Sequence, residues 1–170
     1  RPTLRIGHFN IRGGRGVDER RDLSRTAAHF SGFDLVGLNE VDGSMFGSPR
    51  NDAQALGELT GMAWLFAPTE RRFWHDDFGN GLLSRVPIES WLRLPLPSSA
   101  GRGRRNVLVV RLTHRGHPLT VFVTHLDRLK DGPRQMEMVG QMFMEASLPA
   151  VLMGDMNMTT TDEPLARLLA

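Results

Sequence analysis

The sequence has 170 residues, of which 40% are hydrophobic and 24% are charged, a composition typical of a globular protein with a buried core. It contains no cysteine, which excludes disulfides, zinc–thiolate sites and thiol catalysis, and its longest apolar runs are far shorter than the roughly 18–20 residues of a membrane-spanning helix. The net charge is only +2, and the side chains left for catalysis or metal binding are carboxylates, amides and imidazoles, which favour hard cations.

Apolar periodicity in the first half of the chain predicts strands that alternate with helices. The predicted elements are a strand over 3–10, a helix over 17–30 with Asp18 as its N-cap, a strand over 34–40, a helix over 52–61 that ends at Gly61, and a strand over 62–68. The second half continues with β segments over 78–85, 87–96, 105–114 and 119–125, where 115–118 form the turn of a hairpin, then a helix over 132–146, a strand over 150–155 and a helix from 162 onward. This order predicts a mixed α and β fold that is rich in strands.

Arginine supplies nearly all of the positive charge, since Lys130 is the only lysine. The arginines cluster at Arg12/Arg15, Arg20/Arg21, Arg71/Arg72 and Arg102/Arg104/Arg105. A guanidinium is well shaped to bind phosphate, but a coding bias toward arginine or a solvated charged face explains the same pattern. The clusters therefore allow a phosphate-bearing substrate without identifying nucleic acid.

Four apolar strands end on polar residues of the types that take part in catalysis and metal binding. These residues are Asn10 after "LRIGHF", Glu40 after "DLVGL", His125 after "LTVFVT", and Asp155 with Asn157 after "AVLMG". A single such residue is commonly a turn former. Together, two amides, two carboxylates and an imidazole at strand ends are the groups that hold a divalent metal, a phosphate and an attacking water.

The sequence resembles the endonuclease/exonuclease/phosphatase superfamily of metal-dependent phosphohydrolases. Six short motifs carry the resemblance in order along essentially the whole chain: "HFNIRGG" (8–14), "LVGLNEVD" (35–42), "FGNGLLSRVPI" (78–88), "VTHLD" (123–127), "PRQ" (133–135) and "MGDMN" (153–157). The resemblance implies an α+β fold, a four-layer α/β/β/α sandwich with two face-to-face sheets between helices and an active site at one rim.

The resemblance also implies a metal site. Glu40 is expected to be the principal ligand of Mg²⁺, for which Mn²⁺ can substitute, because a carboxylate is the hard oxygen donor that this cation selects. Asn10 is expected beside it, in contact with the metal or the scissile phosphate.

The other motif residues are expected to act on water and substrate. Asp155 would orient or activate the attacking water, and Asn157 would donate to a phosphate oxygen. His125 would donate to the phosphate or transition state, a role favoured if nearby carboxylates stabilise its charged form. Asn80, in the third motif, and Arg12 are expected to help bind substrate, while His8, on the same strand face as Asn10, is expected to play a buried supporting part.

One segment typical of the family does not follow the last motif. Members usually continue through further strands to an Asp–His pair, whereas this chain stops at Ala170. We therefore expect a single domain over 1–170 that lacks the C-terminal strands, has weak activity by itself, and self-associates through an open sheet edge. Localisation stays open, because a chain that begins at Arg1 is compatible with a removed export signal.

The predicted function is Mg²⁺-dependent hydrolysis of a phosphate ester by in-line attack of water. The enzyme would be a phosphodiesterase or phosphatase, with nucleic acid or a phospholipid or inositol headgroup as substrate. The alternative is a catalytically impaired module that binds a partner. A dinucleotide-binding loop that starts at Gly14 is disfavoured, because Glu19 stands where the third glycine is needed and its charge opposes a pyrophosphate.

Overall fold

The computed structural model describes residues 3–44, 50–69, 78–99 and 104–170, which form two four-stranded sheets with helices against them. The first sheet and its helices comprise β1 (Ile6–Asn10), α1 (Leu23–Ala28), β2 (Leu35–Val41), α2 (Asp52–Thr60), β3 (Ala63–Pro68) and β4 (Gly79–Ser84). The second comprises β5 (Ile88–Pro95), β6 (Asn106–His114), β7 (His117–His125), α3 (Gly132–Met144), β8 (Ala150–Asp155) and α4 (Glu163–Leu169). A 3₁₀ turn over Arg12–Gly14 follows β1.

Each sheet contains one parallel pair of strands. The first sheet has the order β1-β2-β4-β3, with β1 parallel to β2. The second has the order β5-β6-β7-β8, with β7 parallel to β8, and the remaining pairs in both sheets are antiparallel. Because parallel strands end at the same edge of a sheet, both pairs bring their polar terminal residues together.

Strand alternation sorts the apolar side chains into three buried clusters. Between the two sheets lie residues such as Leu35, Leu82, Leu108, Val121 and Met153. The neighbours of these residues along the strands point the other way: Val36 and Leu83 pack with Phe30 and Leu56 on the helix side of the first sheet, and Phe122 packs with Met136 and Val139 on that of the second. The resulting layers are helix, sheet, sheet and helix, which confirms the predicted four-layer α+β sandwich.

The first helix is shorter than the sequence pattern predicts. It spans Leu23–Ala28 rather than 17–30, and its N-cap is Asp22, whose carboxylate accepts hydrogen bonds from the backbone N–H groups of Ser24 and Arg25. The predicted cap at Asp18 is wrong: its carboxylate instead accepts from the backbone of Arg20 and from the Arg25 guanidinium. Local polar contacts hold this segment as a turn ahead of the helix.

The predicted hairpin between β6 and β7 is present with a tighter turn. Arg115 and Gly116 form it, with φ values of 53° and 81°. Two consecutive residues with positive φ match the right-handed twist of the flanking strands, so β7 begins at His117. None of the helices in the described ranges is long and apolar enough to cross a membrane.

Candidate active site

The polar residues at the ends of four strands meet at one rim of the sandwich. In the first sheet, Asn10 at the end of β1 is in register with Asn39, the neighbour of Glu40 on β2. In the second sheet, His125 at the end of β7 is in register with Asp155 at the end of β8. Four of the five residues predicted from the strand ends therefore come from two different sheets, and Glu40 and His125 line one cleft between them.

Glu40 lies at an irregularity of β2. The pairing of β2 with β4 shifts register between Leu38 and Val41, and Glu40 has a left-handed φ of 53°. This bulge turns the half-buried carboxylate out of the regular alternation toward the rim. A left-handed backbone at a residue other than glycine costs free energy and is concentrated at functional sites. The Asn10 Nδ2 group donates a hydrogen bond of 2.9 Å to Glu40 Oε1, so the two predicted metal-site residues are in contact.

His125 and Asp155 form the second half of the site. His125 Nε2 lies 3.8 Å from Asp155 Oδ2, and the exposed fractions of the two side chains are 7% and 38%. Burial, with the nearby Arg105 guanidinium, lowers the pKa of His125, although Asp155 and Glu40 oppose the shift. The charged imidazolium considered from the sequence is thus disfavoured, and a neutral ring still donates through one N–H group.

Asn157 supports Asp155 and the end of β7 at the same time. Its backbone N–H donates to Asp155 Oδ1 at 3.0 Å, and its Nδ2 group donates to the Leu126 carbonyl at 2.9 Å. Its φ of 50° is again left-handed. One amide hydrogen is therefore committed to the protein, and the second is the one that can serve a phosphate oxygen.

A cleft of about 280 Å³ opens beside these residues. Its lining includes Arg12, Arg15, Glu40, Asp42, Phe78, Arg105 and His125. Glu40 and His125, one residue from each sheet, thus face the same space, and Asp155 lies directly beside His125. Two of its three arginines are already paired, Arg12 with Glu19 and Arg15 with Asp42, which leaves Arg105 as the lining arginine with capacity for an anionic ligand.

Arg105 is a cleft residue that sequence reasoning did not single out. Its guanidinium lies 5.6 Å from the ring centroid of Phe78, and its Nε and Nη1 atoms are buried without a hydrogen-bond partner among the described residues. Buried guanidinium donors normally have acceptors, so these two point to an anion that binds there. The only sequence signal is membership of an arginine cluster, which does not reveal burial.

The structure distinguishes the two residues predicted to bind substrate. Arg12 lines the cleft, and its guanidinium pairs with Glu19 at 3.0 Å on the exposed surface. Asn80 is only 3% exposed, and its amide groups are taken up by Asn39 and Asn106. This placement favours a supporting role for Asn80 over direct contact with substrate.

The donor set of this rim suits Mg²⁺ better than a metal held entirely by protein. Within the described ranges, no group of three or more His, Asp and Glu side chains is arranged to hold a metal ion. Mg²⁺ keeps several waters and usually takes only one or two carboxylates together with substrate phosphate. Glu40 with Asn10 fits that pattern.

Comparisons with known proteins agree with this fold. The profile of the endonuclease/exonuclease/phosphatase family matches residues 7–170. A search of curated protein sequences gave no match.

Solved structures with the same architecture include three proteins of different description. These are TDP2 from D. rerio complexed with single strand DNA product (21% identity, TM-score 0.69, 98% of this chain and 65% of that one), a mannosyl-6-phosphatase from Bacteroides thetaiotaomicron VPI-5482 (18%, 0.71, 98% and 70%), and sphingomyelinase C from Streptomyces griseocarneus (17%, 0.69, 99% and 69%). At these identities the likeness establishes the fold, and the chain spans about two thirds of the length of each.

Proposed function

Because the chain belongs to the endonuclease/exonuclease/phosphatase family, whose members are phosphoester hydrolases, we propose that it is a Mg²⁺-dependent hydrolase of phosphate esters in which water attacks phosphorus in line. The observation that carries the proposal is the convergence of Glu40 and Asn10 from one sheet with His125 and Asp155 from the other. On one rim of the sandwich, the first pair would bind the metal and the second would act on the water and its proton.

In this proposal Glu40 and Asn10 hold the metal, with Mn²⁺ as a substitute. A divalent cation bound there would neutralise charge on the phosphoryl oxygens. The Asn10–Glu40 hydrogen bond supports the assignment, because it fixes the orientation of the carboxylate and leaves Oε2 free of that contact.

Asp155 orients the attacking water and accepts its proton while the P–O bond opposite that water breaks, and the leaving oxygen takes a proton from solvent. Its carboxylate is partly exposed, so water can reach it, and the Asn157 backbone holds one of its oxygens. His125, kept neutral by burial, donates its N–H to a phosphoryl oxygen as negative charge builds up there.

Arg105 is assigned to the substrate phosphate. Two buried donors without a partner in the described ranges support a site for an anion. The carboxylates of Asp127, Glu40 and Asp155 stabilise the charge of the guanidinium, and a bound metal would offset their repulsion of a phosphate. Arg12 contributes from the exposed side of the cleft.

We rank a general phosphodiesterase activity first. Activities specific for nucleic acid or for phospholipid headgroups rank close behind it. The relatives in the comparison act on, or are bound to, different phosphate esters by their descriptions, and one fold supports many such activities. Aromatic residues make up only 7% of the chain, which gives little support to a stacking platform for single strands.

The decisive experiment is a parallel assay of DNA, RNA, inositol phosphates and sphingomyelin with Mg²⁺ or Mn²⁺. We expect hydrolysis of at least one class that Glu40→Gln abolishes, and Mn²⁺ binding by calorimetry that disappears in the same variant. Glu89→Gln, an exposed carboxylate on β5, is the matched control and should change neither. Metal binding with no hydrolysis of any class would favour the alternative, a catalytically impaired module that binds a partner.

Self-association remains a separate prediction. Among the described strands, the four at the sheet edges, β1, β3, β5 and β8, each pair on one side only, and an unpaired strand edge can add another chain. Light scattering measures the molar mass directly, and a monomer at high concentration would contradict this prediction.

A further inference from the structure

Three buried asparagines connect the two sheets behind the candidate site. Asn39 lies on β2, Asn80 on β4 and Asn106 at the start of β6, with exposed fractions of 0%, 3% and 1%. Asn39 Nδ2 donates to Asn80 Oδ1 at 2.7 Å, and Asn80 Nδ2 donates to Asn106 Oδ1 at 3.0 Å. We call these three residues the amide chain.

Fixed backbone groups at the two ends determine the direction of every bond in the amide chain. At one end, the backbone N–H of Asp155 donates to Asn39 Oδ1 at 2.8 Å, so this atom is the carbonyl oxygen of the amide. At the other end, Asn106 Nδ2 donates to the carbonyls of Ala67 and Pro68, both at 3.1 Å. Each asparagine thus has its donor and its acceptor in use, and reversing any one of them would set like groups against each other.

The same reasoning fixes the protonated nitrogen of His8. His8 Nε2 lies 2.7 Å from Asn39 Oδ1, which is an acceptor, so Nε2 carries the hydrogen. His8 is on β1, two residues before Asn10.

Asn39 therefore touches both halves of the site. It is adjacent in sequence to Glu40, it holds the β1 strand of Asn10 through His8, and it binds the backbone of Asp155 across the gap between the sheets. Two residues earlier on β2, the Met153 side chain of β8 packs over Gly37, where a Cβ atom would collide with it.

We propose that Asn39 is a positioning residue that fixes the Asp155 half of the site relative to the Glu40 half. Asn80 and Asn106 anchor it from behind and touch neither half. The inference rests on the proposed function for its kinetic consequence: the water-orienting carboxylate and the metal-side carboxylate belong to different sheets, and reaction requires them to hold a fixed separation.

The test compares two equally buried positions in the amide chain. Asn39→Leu and Asn106→Leu each remove one amide while nearly conserving volume, and both are expected to lower the melting temperature. Assayed well below both melting temperatures, Asn39→Leu should lower kcat at least about 10-fold with KM nearly unchanged, whereas Asn106→Leu should change kcat less than about 3-fold.

A second measurement needs no activity. The Asp155 amide should exchange its hydrogen at least about 10-fold faster in Asn39→Leu than in Asn106→Leu, after both are corrected for global unfolding. If Asn39→Leu does not fold, Asn39→Ser takes its place, since its shorter side chain also gives up the contact with Asp155.

Equal losses of kcat, or equal exchange rates, in the two variants would overturn the inference and leave the amide chain as a structural feature alone. If the unmodified chain hydrolyses nothing in the substrate panel, the proposed function fails, and the exchange measurement still decides whether Asn39 positions Asp155.

Discussion

The Glu40 end of the first sheet and the Asp155 end of the second reach the same rim by different structural means. Glu40 depends on an irregular backbone, a register shift in β2 with a left-handed φ of 53°, and it contacts the neighbouring strand through the Asn10 side chain. Asp155 is the last residue of β8, which pairs with β7 in unbroken parallel register, and the neighbouring His125 is buried. The comparison teaches that a backbone irregularity positions the Glu40 carboxylate, whereas regular strand pairing positions Asp155. The two halves should therefore respond differently to mutation.

The largest expected effect is a contrast between two substitutions in the Asp155 half, one that lowers activity and one that lowers stability. Asp155→Asn removes the proposed proton acceptor while nearly preserving shape, so activity should fall by about 10²–10⁴ with little change in melting temperature. Val151→Asp, four residues earlier in β8, introduces a carboxylate against the core between the sheets and should cost several kcal/mol of unfolding free energy. Kinetics and thermal melts measure both, and equal melting losses would mean that Asp155 is structural.

The close approach of β7 and β8 gives the next largest effect. Gly154 has a φ of 152°, and a Cβ atom there would collide with the Thr124 carbonyl of β7. Gly154→Ala should therefore destabilise the protein by at least about 2 kcal/mol more than Gly116→Ala. Gly116 also has a positive φ, but its Cβ would meet open space. Denaturant unfolding of the two variants tests this, and similar losses would show that the strand contact yields easily.

A smaller effect is expected at the cleft between the halves. Arg105→Ala removes two buried donors and should raise KM about 10-fold, which corresponds to about 1.4 kcal/mol of binding free energy. Arg111→Ala, at an exposed position on β6, the strand that begins just after Arg105, is the control and should leave KM unchanged. An unchanged KM in Arg105→Ala would exclude a direct contact with substrate.

The smallest expected effect is a dependence of stability on acid. Burial lowers the pKa of both His8 and His125 from the ordinary value of 6.5. Between the folded and unfolded pKa values the unfolded chain binds more protons, so this stabilisation is complete above pH 6.5 and is lost as the pH falls through the folded pKa. We expect the melting temperature to drop on acidification from pH 7.5 to 5, and to drop less in His125→Asn.

The exposed His117 supplies the control for this prediction, because His117→Asn alters a solvated ring in the hairpin. An equal drop in both variants would show that burial of His125 does not govern the response.

The sequence predicted the strand ends well because a buried strand and the polar residue that follows it are adjacent in the chain. Asn10, Glu40, His125 and Asp155 could be identified in this way, and the parallel pairs then brought them together. The four layers were implied by the resemblance to the family, whereas the order of strands and helices predicted only a mixed α and β fold that is rich in strands.

Other features depend on contacts that adjacency does not reveal. In the sequence, Asn39 is one polar residue within an apolar strand. Its hydrogen bond to Asp155 joins residues 116 positions apart, so the sequence pattern does not reveal it. Arg105 matters because its donors are buried, and Asn80 is removed from the cleft by partners on other strands. The start of α1 was missed because Asp18 and Asp22 are both good caps, and only the contacts of the preceding turn favour Asp22.

The tight turn at Arg115–Gly116 bears on the order in which the molecule assembles. It joins two nine-residue strands that are neighbours in sequence, so the β6–β7 hairpin requires very little loop closure. The hydrogen bond from Asn39 to Asp155 requires far more loop closure, because the two residues are 116 positions apart in the chain. We therefore expect pulse-labelled hydrogen exchange during refolding to protect Val110 and Val121 before Asp155, so that the protein completes its rim last; simultaneous protection would contradict this order.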